Sequence, residues 1–353
     1  MLPPPPRRLP SNRFIVLVLV GLAAFLPEAI TGSTPPLLWL NPIQVSLLLW
    51  LYGAGVLVCR ELSIRWRAGW PGILLLGAAY GIIEEALTVK TMFDPNSPVV
   101  GVLGSYGHWA GVNWVWTMWL TIFHAAFSIA FPIFLVEWKW PHVRGRRLLP
   151  DWGLHVAMFL LAGVAVFGYL ALTPYRAGAP EIAWALLTIL GLGYAAYRGW
   201  GTRIWRALPA GRIPRRWVFA AAGFAFFALS FLVYAGGPSL GGTAPVTFLE
   251  GGVLLLVVLL LLRRVYGDPD GERHVFAFIA GSIGMFAVFD VILEIAGHTG
   301  MAAVGIGFVL LAVWLYKRAG PQPVQVAAAS AIPVQLPPSS SESADSVSLG
   351  PGP

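Results

Sequence analysis

One cysteine, Cys59, is present among 353 residues. That excludes an intramolecular disulfide and any cysteine-based zinc cluster, and leaves Cys59 as a small buried residue at a helix end. Charge is scarce as well: Asp, Glu, Lys and Arg make up 11% of the chain, against about 25% in a soluble domain. So little charge cannot cover a water-facing surface. Lysine occurs only at positions 90, 139 and 317, so arginine carries the net charge of +7. The basic residues fall in short loops between apolar runs. This excludes nucleic acid as a partner and points to membrane lipids and their headgroups.

What is abundant is hydrophobic sequence, 57% of the chain, arranged in long runs. A spanning helix needs about 20 mostly apolar residues. On that template the spans are 14–32, 43–60, 70–92, 113–137, 152–173, 180–197, 216–236, 245–263, 274–296 and 299–317. The fold class is therefore all-α, a polytopic membrane helical bundle of about ten transmembrane helices over 14–318. The start, MLPPPPRRLPSNR before FIVLVLVGLAAFL, partly resembles a signal peptide. Pro27 is a poor match to a small-residue cleavage site, so the segment reads as a retained helix behind a Pro/Arg segment, 1–13. The tail 319–353 is rich in Pro, Ser and Ala, lacks apolar periodicity, and is expected to be disordered. No internal repeat is evident.

Charge tests the span count. Of the 23 Lys and Arg, only Lys90 and Arg176 fall outside the even-numbered connections and the two ends. By the positive-inside rule this predicts a multi-pass cell-membrane protein with both termini cytoplasmic.

Two adjacent carboxylates, Glu84 and Glu85, interrupt the third apolar run. Each charge near a bilayer midplane costs about 2.5–3.5 kcal/mol on insertion scales, so a pair signals function. The topology sets them about 12 Å below the outer end of their helix. His124 lies at a comparable depth on the fourth helix, and sequential helices tend to be neighbours. Asn113, Thr117, Thr121, His124 and Ser128 are spaced by 4, 4, 3 and 4, and so share one face. Tyr80, Glu84, Thr88 and Thr91 form a matching line, and Gly77 and Gly81 supply a small-residue edge for close packing. Glu28, Glu250, Asp290 and Glu294 also fall toward outer helix ends. Glu28 and Glu294 read as snorkelling to headgroups; Glu250 fits a site residue or a lone acid bonded to a neighbouring helix. The glycine-rich loop 94–112, with His108, is placed to lid a polar cavity. The expected site is thus an outward-facing polar cavity centred on Glu84, Glu85 and His124, lined by Tyr80, Thr88, Asn113, Thr117, Thr121, Ser128 and Asp290. The structural alternative is a hydrogen-bonded glutamate pair tied to Lys90.

An adjacent glutamate pair on one membrane helix, followed by His124 on the next, resembles the CAAX prenyl protease and bacteriocin-processing (CPBP) intramembrane proteases and the related PrsW proteases. The resemblance covers about 55 residues. It implies that a glutamate activates a water while histidines hold that water or the developing oxyanion. The chain departs from the pattern at several points. Val89 and Thr88 occupy the positions of the family's basic residue, and Leu120 stands where Phe precedes the histidine. Asp290 would have to replace the later histidine motif.

Three readings are open. In the first, a glutamate-dependent intramembrane hydrolase uses Glu84 or Glu85 as general base, with the other glutamate and His124 orienting water. Its substrate would be a membrane-embedded peptide or a lipid-linked molecule. In the second, the same residues relay protons or cations in a transporter. Against it, the third helix below Glu84 is apolar and the fourth-helix stripe ends at Ser128. In the third, a non-catalytic scaffold uses the pair to fix helix packing. A divalent metal, Zn²⁺ or Mn²⁺, fits Glu84, Glu85, His124 and Asp290 as ligands.

Overall fold

Long apolar runs bounded by Pro, Gly and Asn become helices, and their ends show why. In the computed structural model, which describes residues 9–209 and 211–318, α1 (Asn12–Ile30) starts where Ser11 Oγ accepts from Phe14 N. In α2 (Pro42–Trp66), Asn41 Oδ1 accepts from Ile43 N and Gln44 N, and Pro42 sits at the first helical position. Both are N-terminal signals that satisfy orphan backbone donors. The third span is α3 (Gly69–Ile82) continued by a π-helical turn, Ile83–Thr88. The fourth is α4 (Trp114–Phe123), a second π-helical turn, His124–Ala130, and α5 (Phe131–Lys139). Next come α6 (Asp151–Ala171), α7 (Ala179–Tyr197), a short α8 (Trp200–Ala207), α9 (Arg216–Ser239), α10 (Ala244–Arg263), α11 (Gly271–Ile295) and α12 (Met301–Arg318). Among the described residues ten helices are long and apolar enough to cross a membrane, one for each expected span.

The third and fourth spans form the centre of the bundle. In each, 72% of the apolar stretch is buried, against 50% or less in every other span. Around them α1, α2, α3 and α6 share one apolar core, with Leu51, Val56, Leu76 and Leu161 among its members. A second core is made of phenylalanines. Phe123, Phe127, Phe131 and Phe134 line the fourth span on the side of α9 and α11. The Phe127 ring lies 4.9 Å from both Phe227 and Phe286, the edge-to-face spacing that aromatic quadrupoles favour.

Four local features differ from the sequence expectation. The second helix runs to Trp66 rather than ending at Arg60, so Arg60 and Glu61 are fully buried. Their charges are tolerated because they are paired: Arg60 reaches Glu61 at 3.2 Å and Glu137 at 3.0 Å, and Glu61 also pairs with Arg65. The third span stops at Thr88 instead of residue 92, and Lys90 turns the chain with a positive φ of 62°. Helix α8 lies in what reads as a basic connection, tied back by Thr202 Oγ1 donating to Ala68 O. The loop 94–112 carries a hairpin of two-residue strands, β1 (His108–Trp109) and β2 (Val112–Asn113). The first eight residues of the expected Pro/Arg segment and the expected tail 319–353 lie outside the described residues.

Candidate functional site

Glycine brings the two central spans together. A Cβ at Gly77 would lie 2.9 Å from Ala125 Cα, and one at Gly81 would lie 3.1 Å from His124 Cβ. The small-residue edge read from the sequence is therefore the surface on which the fourth span rests. On the other side Gly55 of α2 leaves room for the Tyr80 ring, whose Cε2 would be 2.1 Å from an added Cβ. Larger residues at Gly77 and Gly81 would hold the fourth span, and His124 with it, away from the glutamates, and one at Gly55 would displace the Tyr80 ring.

The π turns then set the register. Each adds a residue to one helical turn and so rotates the side chains beyond it. In the third span Val89 N bonds Glu84 O at 2.9 Å, and Thr88 Oγ1 donates to Ile83 O at 2.9 Å. The second π turn precedes Pro132, which lacks an N–H and crowds the carbonyl of Ser128 four residues earlier. There Phe131 N reaches Ala126 O, five residues back. Both site-bearing segments thus sit on wide turns. The 4-and-3 spacing of an α-helix describes neither one completely.

The result is a compact buried group. Glu84, Glu85 and His124 are 4%, 7% and 2% exposed. His124 Nε2 lies 3.0 Å from Glu85 Oε1. Its Nδ1 lies 2.9 Å from Ser128 Oγ and 3.2 Å from Glu84 Oε2. Glu85 is held on its other oxygen by the Thr91 hydroxyl, which donates to Oε2. Glu84 is held less firmly: its Oε2 has no aligned hydrogen bond despite the close imidazole. One atom from each of the three residues falls within a 4.8 Å cluster, the geometry of a candidate metal site.

Tyr80 and Tyr52 flank the imidazole, with ring centroids 6.1 and 6.3 Å from it. Tyr52 Oη donates to Glu28 Oε1 at 2.5 Å, and Thr34 Oγ1 donates to Glu28 Oε2 at 2.6 Å. Glu28 is thus a bonded carboxylate one ring away from His124, not a side chain snorkelling to headgroups. Sequence reasoning missed Tyr52, because a tyrosine in an apolar run reads as core. The signal lay in Glu28, which faces it from α1. Buried hydroxyls of Tyr80, Thr117 and Thr121 have no partner.

Other expected site residues are placed elsewhere. Asn113 caps α4, accepting from Trp116 N, and its amide donates to Leu103 O and Gly104 O. Thr88 packs against Gly168 of α6. Lys90 does not tie the glutamates; its Nζ donates to Tyr169 O at 2.7 Å and Thr173 O at 3.3 Å, capping the end of α6. Its burial, with Arg176 nearby, holds its pKa below the ordinary lysine value. His108 Nε2 meets Phe93 O at 3.1 Å, and Tyr106 Oη bonds Gly242 O at 2.9 Å and Thr247 Oγ1 at 2.8 Å, so the loop 94–112 is tied to the end of the third span and to α10. Asp290 is buried against Gly305 of α12, with neither carboxylate oxygen bonded, and is not part of the three-residue cluster. Glu294 Oε2 accepts from Ala302 N at the start of α12, where a helix favours an acid. Glu250 is exposed on α10. Of the six acids, Glu84 and Glu85 form one group with Glu28 a ring away, whereas Glu250, Asp290 and Glu294 face other neighbours.

No curated protein and no solved structure matches the chain. A family model described as an uncharacterized membrane protein family matches residues 17–339. With ten apolar helices enclosing a buried Glu-Glu-His group, the chain belongs to that membrane protein family.

Proposed function

We propose that the chain is an intramembrane hydrolase whose reaction centre is Glu84, Glu85 and His124. The observation that carries this reading is the unequal fixing of the two carboxylates. Glu85 is bonded at both oxygens, by Thr91 and His124, whereas Glu84 keeps an unbonded oxygen 3.2 Å from the imidazole. A free carboxylate oxygen beside an oriented imidazole suits general-base chemistry. Glu84 takes a proton from water, the hydroxide adds to the carbonyl carbon, and the proton passes to the leaving group as the bond breaks. Glu85 orients His124, and the Tyr80 hydroxyl, buried beside the Glu84 carboxylate, is placed to donate to the oxyanion. The likeness of the glutamate pair and histidine to CPBP and PrsW proteases supports the same assignment. The substrate class is a membrane-embedded peptide or a lipid-linked molecule, and the basic end of the bundle faces the cytoplasm.

A metal-assisted version has its own support. Two carboxylates and an imidazole suit Zn²⁺ or Mn²⁺, and the three ligand atoms are close enough to share one ion. Such an ion would supply Lewis-acid polarisation of the substrate carbonyl.

The test is cleavage of single-span reporter peptides and lipid-linked esters in proteoliposomes, with metal analysis of the same preparation. Wild type should cleave, and Glu84→Gln and His124→Ala should each lose cleavage by at least ~100-fold while melting as wild type does. Folded variants that cleave at the wild-type rate overturn the proposal. Proton-coupled uptake lost in Glu84→Gln, with no cleavage by wild type, would replace it with transport.

A further inference from the structure

At the basic end of the bundle, α9, α11 and α12 leave a groove of about 350 Å³ between them. Three cations stand at its mouth: Arg216, Arg273 and Lys317. Asp270 holds the two guanidinium groups side by side, bonding Arg216 at 2.5 Å and lying 3.4 Å from Arg273 Nε. Three cations and one carboxylate leave the mouth with a charge of +2. Both α9 and α11 begin here, at Arg216 and Gly271, and α12 ends here at Arg318, so two N-terminal partial positive charges outweigh one C-terminal negative one.

Below the mouth the groove is apolar and open. Ala277, Ala280 and Gly284 form one wall along α11, and Val309 and Val313 form the other on α12. Val309 is 36% exposed and Val313 45%, and a Cβ built on Gly284 would meet nothing within 4 Å. From Arg273 to Gly284 the wall descends about 16 Å, or about one leaflet of a 30 Å hydrocarbon core. A cationic mouth above an apolar channel one leaflet deep has the chemistry of one kind of molecule.

We propose that this groove is a binding site for an anionic phospholipid. One acyl chain lies along Ala277, Ala280 and Gly284, and the phosphate sits among Arg216, Arg273 and Lys317. The charge complementarity selects the occupant: a zwitterionic lipid gains from the apolar wall but brings a choline or amine to an already positive mouth. The inference is independent of the hydrolase reading, since the groove contains none of Glu84, Glu85 or His124.

The test is native mass spectrometry of the full chain after exchange into nanodiscs of equal phosphatidylglycerol and phosphatidylcholine. Wild type should retain phosphatidylglycerol over phosphatidylcholine by roughly thirtyfold, about fivefold for each of the two surplus cations. Arg273→Gln with Lys317→Gln should retain both lipids equally. Gly284→Leu, whose Cβ would meet nothing within 4 Å and whose side chain would enter the channel, should lose bound lipid of either kind. Thermal melting of each variant in detergent confirms folding. Equal retention of the two lipids by wild type overturns the proposal, as does undiminished phosphatidylglycerol preference in the double variant. A dimer whose cross-links map to this groove would also overturn it, by giving the surface to a second copy.

Discussion

Within the apolar bundle, two buried polar groups are organised on opposite principles. Arg60, Glu61, Glu137 and Arg65 form a closed network in which each charge has a partner. Arg60 also spends its remaining donors on Val143 O at 2.7 Å and Arg146 O at 3.2 Å. Removing one member leaves an uncompensated buried charge, so Arg60→Ala should destabilise the fold by about 3–5 kcal/mol. Unfolding in detergent checks this, and a change under about 1 kcal/mol would contradict the structural role. The Glu84 group is different, with an unbonded carboxylate oxygen and several hydroxyls that have no partner. Native interiors rarely leave polar atoms unmatched without a use for them. Glu84, Glu85 and His124 were legible in the sequence because charge in an apolar run is conspicuous. Tyr52 was not, since nothing local separates a ring that packs from one that donates to Glu28.

At the level of helices, the close approach of the third and fourth spans depends on two glycines. Gly81→Val places methyl groups where His124 Cβ and Thr121 Cα already lie, 3.1 and 3.3 Å from an added Cβ. It should cost about 1–3 kcal/mol by overpacking, with loss of the His124–Glu85 contact. Gly191→Ala in α7 is the control, because its Cβ would meet nothing within 4 Å, and it should be neutral or stabilising by up to about 1 kcal/mol. Equal melting temperatures for the Gly81 variant and wild type would contradict the packing account. The spans themselves were readable because hydropathy and loop charge are strong, repeated signals. The π turns were not. Pro132 marks one of them, but the turn at Ile83–Thr88 has no residue before it that announces it, and it displaced Thr88 from the expected line with Glu84.

For the whole molecule, the ten apolar helices among the described residues place the two most enclosed spans at the centre, with Glu250, Asp290 and Glu294 on helices around them. The sequence placed six acids toward one end but could not distribute them among helix faces, because that depends on which helix packs against which. Asp290 shows this: it was read at the level of the glutamates, yet α11 turns it to Gly305 of α12 rather than to them. Under the proposed function, the Glu84 group is kept for chemistry and not for packing. A group retained for function carries a stability cost that neutral isosteres relieve. The melting temperature of the Glu84→Gln, Glu85→Gln double variant tests this most directly. A value equal to or above that of wild type is expected. A fall of roughly 3 °C or more, which corresponds to the loss of about 2 kcal/mol in a chain of this length, would show that the pair holds the bundle together and would contradict this reading.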